Sequence, residues 1–130
     1  MGLSLARKSG LIIALISGED SPLIDRYATK MQITNVFKGC KDKGTALRSF
    51  AESNSLSLHE ICYIGDDVND LSAMRLAGLA AAPADAQPEA REQAHFVSGR
   101  NGGNGAVREV VDAILAAKSG LPVATASTNF

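Results

Sequence analysis

Three aspartates follow a short apolar run near the middle of the 130-residue chain. The run, residues 61–64, stops at Gly65, and Asp66, Asp67 and Asp70 come directly after it. Carboxylates crowded in this way repel one another, so a nearby cation is needed to offset their charge. Carboxylate oxygens without a neighbouring His or Cys favour a hard cation. The pattern therefore predicts a Mg²⁺ site built from these three aspartates.

A structural interpretation of the same residues is also open. Acidic and amide side chains are preferred at the start of a helix, where they accept hydrogen bonds from free N–H groups and lie at the positive end of the helix dipole. Asp67 or Asn69 could therefore cap a helix predicted over residues 69–77. The spacing alone does not decide between metal ligands and a helix cap.

Segments typical of strands alternate with segments typical of helices along the chain. Strands are predicted at residues 11–16, 34–37, 61–64, 79–82 and 95–97, and helices at residues 2–9, 21–31, 42–53, 69–77, 88–94 and 106–118. This alternation predicts an α/β fold, a Rossmann-like parallel sheet with helices on both faces. We expect one domain over residues 1–118 and a flexible C-terminal tail over residues 119–130.

Residues that follow the strands of such a sheet are candidates for binding, because ligands bind beyond the carboxyl ends of parallel strands. Ser17 and Gly18 follow the first strand. A hydroxyl beside a backbone N–H can donate to a phosphate oxygen, or it can simply form a turn. Lys43 follows the second strand and is expected in the first turn of a helix. A cation is unfavourable there, which favours a functional role as the positive charge over a phosphate.

Composition excludes several classes of function. The net charge is −1, aromatic residues make up 5% and Trp is absent, so neither a basic surface nor a stacking platform for nucleic acid is expected. The apolar run at residues 11–16 is too short to cross a bilayer. Cys40 and Cys62 lack CxxC spacing, which indicates free thiols in a reducing compartment. We expect a cytoplasmic protein that binds neither nucleic acid nor membrane.

The order of these motifs resembles the haloacid dehalogenase superfamily of Mg²⁺-dependent phosphatases, over nearly the whole chain to residue 118. LIIALISG is similar to the second motif of that family, with Ser17 as its phosphate-binding hydroxyl. GCKDKGTAL is similar to the third, with Lys43 as its lysine. IGDDVNDLSAM is similar to the fourth, with Asp66 as the metal ligand and Asp70 as a supporting carboxylate.

The closest resemblance is to the capless subgroup of 3-deoxy-D-manno-octulosonate 8-phosphate phosphatases and acylneuraminate-associated phosphatases. VSGRNGGNGAVREVV is similar to the Gly-rich C-terminal signature of that subgroup. The resemblance implies a phosphorylated sugar acid as ligand, Mg²⁺ as cofactor and a homotetramer. Arg100, Gly102 and Gly103 would then contact the sugar acid, although the glycines could merely form a turn before the last helix. Arg108 and Glu109 could also form a weak surface pair.

One feature of the superfamily is missing from this sequence. Its first motif, Asp-x-Asp after an N-terminal strand, supplies the nucleophile and the general acid and base, and no Asp-x-Asp occurs in the 130 residues. The resemblance implies that the usual first strand, which is central in the sheet, is missing as well. Met1 and Gly2 are similar to an internal stretch of related sequences, so we expect a longer ancestral protein. Either the start codon has been assigned too late, or the gene has lost the part that encodes the N-terminal segment.

The missing motif leaves several outcomes open. The gap in the sheet could close by direct pairing, be filled by another chain, or leave an unstable fragment. We expect a phosphatase-type domain that is inactive as given. The alternative is a non-catalytic module that binds anions or partners, or a structural subunit. A response-regulator receiver domain fits less well, because its acidic pair should follow the first strand, whereas Asp66 and Asp67 come late.

Overall fold

The computed structural model describes residues 10–102 and 105–118. The described strands are β1 (Ala14–Ile16), β2 (Asn35–Phe37), β3 (Cys62–Ile64), β4 (Leu79–Ala82) and β5 (Phe96–Val97). The described helices are α1 (Pro22–Met31), α2 (Lys43–Ser53), α3 (Leu71–Leu76), α4 (Pro88–Gln93) and α5 (Ala106–Lys118), with short 3₁₀ turns at Leu58–Glu60 and Val68–Asp70. The predicted α/β class is confirmed. The predicted helix over residues 2–9, the predicted tail at 119–130 and Gly103 lie outside the described residues.

The strands form two parallel groups. In the first, β1 pairs with β2, with Leu15 opposite Val36. In the second, β4 lies between β3 and β5, with Tyr63 opposite Ala80 and Ala81 opposite Phe96. Over the described ranges β1 does not pair with β3, so each of these strands has one edge without a strand beside it.

Two helix starts are set by local side chains. The hydroxyl of Ser21 accepts a hydrogen bond from the backbone N–H of Leu23 (3.1 Å), and Pro22 occupies the first position of α1. The carboxylate of Asp42 accepts from the backbone N–H of Gly44 (3.0 Å) and so begins α2. This cap fixes Lys43 as the first residue of α2, directly beyond the carboxyl end of β2.

The core lies mainly around the second strand group. Alternation along its strands sends Tyr63 toward a cluster that includes Leu47 and Phe50 of α2. The same alternation sends Cys62 and Ile64 toward a second cluster beneath α5. Helices α2 and α5 therefore cover opposite faces of the sheet, as predicted.

An apolar cavity of about 600 Å³ separates β1 from β3. We call this cavity the slot. Its walls are the two strand edges, and one helix covers each of its faces. The slot is lined by residues 10–16 and 60–64, by Leu47 and Phe50 of α2, and by Val111 and Ile114 of α5. Within the described residues, the gap between β1 and β3 is therefore not closed by direct pairing of these two strands.

Candidate functional site

Asp70 is the centre of a buried hydrogen-bond network at the carboxyl end of β3. The residue is only 4% exposed. Oδ1 accepts from the Tyr63 hydroxyl (2.6 Å) and from Lys43 Nζ (3.0 Å). Oδ2 accepts from the backbone N–H groups of Asp66 (3.0 Å) and Asp67 (3.2 Å). These four donors occupy the lone-pair sites of the carboxylate, so Asp70 holds both the lysine and the acidic loop in place.

The charge on Asp70 is stabilised by this network. Burial alone would raise the pKa of Asp70, but the hydrogen bonds from Tyr63 and Lys43 outweigh burial and hold it below its ordinary value. Burial and the Asp70 carboxylate together raise the pKa of Tyr63, so its hydroxyl keeps its proton and remains a donor. The site therefore contains a charged Asp70 paired with Lys43, whose side chain is only 12% exposed.

The turn between β3 and the acidic loop requires a glycine at position 65. A Cβ built on Gly65 would lie 2.7 Å from the Asp70 Cβ and 2.8 Å from Met74 Sδ. The absence of a side chain lets Asp70 fold back beneath the loop, where it can reach the backbone N–H groups. The glycine that ends the apolar run in the sequence thus has a packing role.

Asp66 and Asp67 are both exposed, but they have different surroundings. The Asp67 carboxylate accepts from the backbone N–H of Val68 (2.6 Å) and caps the 3₁₀ turn, so the helix-start interpretation holds for Asp67 rather than Asn69. Partial burial and the negative charge of Asp70 raise the pKa of Asp66. A cation beside Asp66 would offset this repulsion.

The carboxylate oxygens at the end of β3 are compatible with a hydrated Mg²⁺ ion. No cluster of three or more His, Cys, Asp or Glu side chains suited to a metal is found among residues 10–102 and 105–118. Asp70 is saturated by its four donors, which fits a supporting role. Asp66 is left as the main carboxylate on the surface of the loop. Mg²⁺ commonly keeps several waters and binds through one or two carboxylates, so this oxygen-only set fits it.

The predicted phosphate loop lies at the carboxyl end of β1. Ser17 Oγ accepts from the backbone N–H of Glu19 (3.1 Å), which gives the turn that the sequence left as an alternative. The backbone N–H of Cys40 donates to the Ser17 carbonyl (3.0 Å), so the loops after β1 and β2 are tied together. A hydroxyl that accepts in this way can still donate to a phosphate oxygen. Gly18 is exposed beside it.

Lys43 and Tyr63 show what the sequence indicated and what it did not. Lys43 begins α2 and forms its ion pair with Asp70, which explains a cation at an otherwise unfavourable position. Tyr63 was not identified as a site residue. A polar tip inside a buried strand, seven residues before an acid, is the signal that could have found it, since a buried Tyr hydroxyl needs a partner.

Arg100 lies exposed after β5. Its Nε is 3.9 Å from Glu109 Oε2, a loose contact between partly exposed groups. The backbone N–H of Gly102 donates to the Asp85 carboxylate (2.8 Å), which links the loops after β4 and β5. These contacts place the Gly-rich segment at the same edge of the sheet as the other candidates, while Gly103 is outside the described residues.

The possible surface pair between Arg108 and Glu109 is not among the ion pairs of the described residues. Arg108 instead pairs with Asp112 one helical turn later, with 3.3 Å between Nε and Oδ1. Adjacent helical residues point in different directions, whereas residues four apart share a face.

Comparison with known proteins agrees with these observations. The haloacid dehalogenase-like hydrolase family matches residues 9–110, and the chain belongs to this family. The 3-deoxy-D-manno-octulosonate 8-phosphate phosphatase of Yersinia pestis is 36% identical over 124 residues, which cover 95% of this chain and 66% of the relative. The corresponding phosphatase of Escherichia coli K12 is 33% identical over 120 residues, 92% of this chain and 64% of the relative. The chain thus spans about two thirds of the length of these curated relatives.

Solved structures give the same result. The Moraxella catarrhalis 3-deoxy-D-manno-octulosonate 8-phosphate phosphatase, in complex with magnesium, phosphate and KDO, has a TM-score of 0.84 and 38% identity, over 89% of this chain and 67% of that chain. The cobalt-bound phosphatase of Haemophilus influenzae has a TM-score of 0.87 and 32% identity, over 91% of this chain and 69% of that chain.

Within the described residues, Cys40 and Cys62 are free thiols. No helix in these ranges combines the length and apolar character needed to span a membrane.

Proposed function

We propose that this chain is a Mg²⁺-dependent phosphatase-type domain for a phosphorylated sugar acid similar to 3-deoxy-D-manno-octulosonate 8-phosphate. The observation that carries the proposal is the Asp70 network, which places Lys43 beside the acidic loop although the two are far apart in sequence. A lysine next to exposed carboxylates suits a phosphate and its metal ion. The Moraxella relative, which was solved with magnesium, phosphate and KDO, supports the choice of ligand.

Each element at the site has a proposed role. Ser17, Gly18 and Lys43 bind the phosphate oxygens. Asp66, assisted by Asp67, offers carboxylate oxygens to Mg²⁺. When bound, Mg²⁺ would neutralise charge on the phosphoryl group.

Four further residues position the site or bind the sugar acid. Asp70 fixes the acidic loop and Lys43 through its four accepted hydrogen bonds. Arg100 and the glycines at positions 102 and 103 contact the carboxylate or hydroxyls of the sugar acid.

We further propose that residues 1–130 bind this ligand without turning it over. The family mechanism needs a carboxylate nucleophile, and the sequence contains no Asp-x-Asp motif. Asp20 and Asp25 follow β1, but both face Lys38, whose Nζ lies 3.6 Å from Asp20 and 3.0 Å from Asp25. Charge stabilisation by Lys43 alone cannot replace a nucleophile in line with the leaving group.

A second candidate function is a non-catalytic subunit that binds a partner or has a structural role. The slot favours this alternative, because apolar surface between two strand edges can bind a partner. The phosphatase-type domain should bind inorganic phosphate, whereas a partner-binding or structural subunit should not. We also propose that the protein is cytoplasmic, in line with its free thiols, and that it forms a homotetramer. Light scattering that shows a stable monomer at micromolar concentration would contradict the tetramer.

Calorimetric titration with Mg²⁺ tests the metal site. We expect Asp66→Asn to weaken Mg²⁺ binding clearly relative to the wild type, because it removes the main exposed carboxylate of the loop. Asp112→Asn is the matched control, since Asp112 is an exposed carboxylate on α5 in a surface pair. Equal Mg²⁺ affinity in the wild type and Asp66→Asn would refute the assignment.

A phosphatase assay tests the proposed lack of turnover. Residues 1–130 should hydrolyse 3-deoxy-D-manno-octulosonate 8-phosphate at background rates with Mg²⁺ present. The same sample should still bind inorganic phosphate, and Lys43→Met should weaken that binding. Robust Mg²⁺-dependent turnover that disappears in Asp66→Asn would show that another residue acts as nucleophile, with Asp20 the first to be tested.

A further inference from the structure

The two oxygens of the Asp70 carboxylate have different kinds of partner. Oδ1 accepts hydrogen bonds from two side chains, the Tyr63 hydroxyl and Lys43 Nζ. Oδ2 accepts from two backbone N–H groups of the acidic loop, those of Asp66 and Asp67. In the proposed function, Lys43 binds phosphate and the acidic loop binds Mg²⁺. A residue that contacts Oδ1 alone can therefore act on the phosphate side of the site without changing the metal side.

The backbone at Lys43 is held in place by bonds that do not involve Asp70. The Asp42 carboxylate accepts from the Gly44 N–H (3.0 Å) and from the Ser72 hydroxyl (3.1 Å), and Ser72 Oγ also accepts from the Gly44 N–H (3.2 Å). These bonds tie the first turn of α2 to α3. Within the described ranges, the tip of the Lys43 side chain donates one hydrogen bond, to Asp70. An ammonium group has three N–H donors, so two remain for an anion.

Tyr63 acts on the hydrogen bond that holds the tip of Lys43. Tyr63 is only 8% exposed, and its hydroxyl lies 2.6 Å from Asp70 Oδ1, against 3.0 Å for Lys43 Nζ. An O–H···O⁻ distance of about 2.6 Å is in the range of short, charge-assisted hydrogen bonds. Two donors on one oxygen share its negative charge, so the Tyr63 bond weakens the attraction of Asp70 for Lys43. A buried tyrosine also needs a partner for packing alone, so a purely structural role is the alternative.

Building on the proposed function, we propose that Tyr63 is a positioning residue for phosphate, which acts through Asp70 on Lys43. When Lys43 turns toward a phosphate oxygen, the Tyr63 hydroxyl stays on Oδ1, and this buried oxygen keeps a donor. Without that hydroxyl, Lys43 is the remaining side-chain donor to Oδ1 and is held there more tightly. The bonds from the acidic loop to Oδ2 are the same in either case.

Calorimetric titration of Tyr63→Phe in the full 130-residue chain tests the proposal. The variant keeps the aromatic ring and removes the hydroxyl. We expect the affinity for inorganic phosphate at saturating Mg²⁺ to fall at least about fivefold, while the affinity for Mg²⁺ alone changes less than about twofold. Tyr27→Phe is the matched control, because Tyr27 is the other tyrosine of the chain and is 48% exposed. The control should change neither affinity.

Fluorine NMR keeps the test valid if Tyr63→Phe fails to fold. 3-Fluorotyrosine is incorporated at both tyrosines of the unmutated chain, and Tyr27→Phe assigns their signals. Addition of inorganic phosphate to the Mg²⁺-saturated chain should shift the Tyr63 signal, because Lys43 then draws less on Oδ1 and the Tyr63 hydrogen bond strengthens. The Tyr27 signal should not move. A tyrosine with a packing role alone would give no such shift.

Three results would overturn the proposal. The first is equal or tighter phosphate binding by Tyr63→Phe. The second is a parallel loss of phosphate and Mg²⁺ affinity, which would show that the hydroxyl supports the whole site structurally. The third is a Tyr63 fluorine signal that stays unchanged although calorimetry shows that phosphate binds. Failure of the proposed function looks different, because the wild type would then bind no phosphate, and the role of Tyr63 would be refuted with it.

Discussion

The two strand groups differ in how completely they are built. In the second group, β4 has a neighbour on both sides, and Ala80, Ala81 and Ala82 are fully buried. In the first group, all three residues of β1 are only half-buried and one edge faces the slot. The Lys43–Asp70–Tyr63 network joins α2 to the end of β3 in the second group, whereas Ser17 follows β1 in the first. One half of the candidate site is therefore preorganised, and the other depends on a weakly supported strand.

This difference bears on function. Catalysis of phosphoryl transfer depends on charged groups held in fixed positions. The acidic loop and Lys43 meet this requirement through buried hydrogen bonds. The described contacts of the Ser17 loop are backbone and turn hydrogen bonds to β2 and to the segment around Cys40, together with an exposed ion pair between Asp20 and Lys38. We therefore expect substitutions that line the slot to change Mg²⁺ affinity little. They should weaken phosphate binding through Ser17 more, because Ser17 follows β1, which lines the slot.

The largest effect is expected from Asp70→Asn. This change keeps the size of the side chain but leaves the buried Lys43 ammonium without its counter-charge, and breaking a buried pair in this way costs about 3–5 kcal/mol of unfolding free energy. Urea unfolding measures it. Asp112→Asn, in the exposed pair with Arg108, should change stability by less than about 1 kcal/mol. Similar losses in the two variants would mean that the preorganised half of the site has been misidentified.

Matched glycine substitutions in the two halves should give the next largest effect. Gly65→Ala forces a Cβ against Asp70 and Met74, and overpacking of this kind typically costs about 1–3 kcal/mol. Gly18→Ala meets nothing closer than the Cys40 carbonyl at 3.6 Å, so it should leave stability nearly unchanged. Thermal unfolding compares the two variants. Equal melting temperatures of Gly65→Ala and Gly18→Ala would show that the two halves do not differ in packing around these glycines.

The smallest effect is expected from Ser21→Ala, which removes the N-cap of α1 in the incomplete half. Loss of a Ser cap typically costs about 1 kcal/mol. If this half opens on its own, the cost should appear as faster amide exchange in β1 and α1, with little change in global unfolding by urea. An equal loss in both measurements would show that the two halves unfold together.

Much of the fold could be predicted from the sequence, because apolar runs and glycines mark its strands and turns. The strand predicted at residues 11–16 is shorter in the structure, Ala14–Ile16, because apolar character does not replace a missing neighbour strand. The helix predicted at residues 69–77 begins as a 3₁₀ turn before Leu71–Leu76, since Asp67 and Asp70 bond to the backbone there.

The members of the candidate site could be predicted better than their contacts. Lys43, Asp66 and Asp70 were identified from residue type and order. Their spacing did not reveal that the Asp70 carboxylate accepts four hydrogen bonds, or that the Tyr63 hydroxyl donates one of them. These contacts join segments that only the folded chain brings together. Local spacing likewise did not indicate the partner of Arg108, since helix geometry rather than adjacency selects Asp112.

Hydrogen exchange of matched amides tests the inequality of the two strand groups most directly. The N–H groups of Ser17, Gly65 and Ser98 each donate to a carbonyl of a neighbouring strand, at 2.9, 3.0 and 2.8 Å. With similar bonds, any difference in protection reports how readily each group opens. We predict that the Ser17 amide exchanges at least about tenfold faster than the amides of Gly65 and Ser98. Equal protection of the three amides in the free chain would contradict this account.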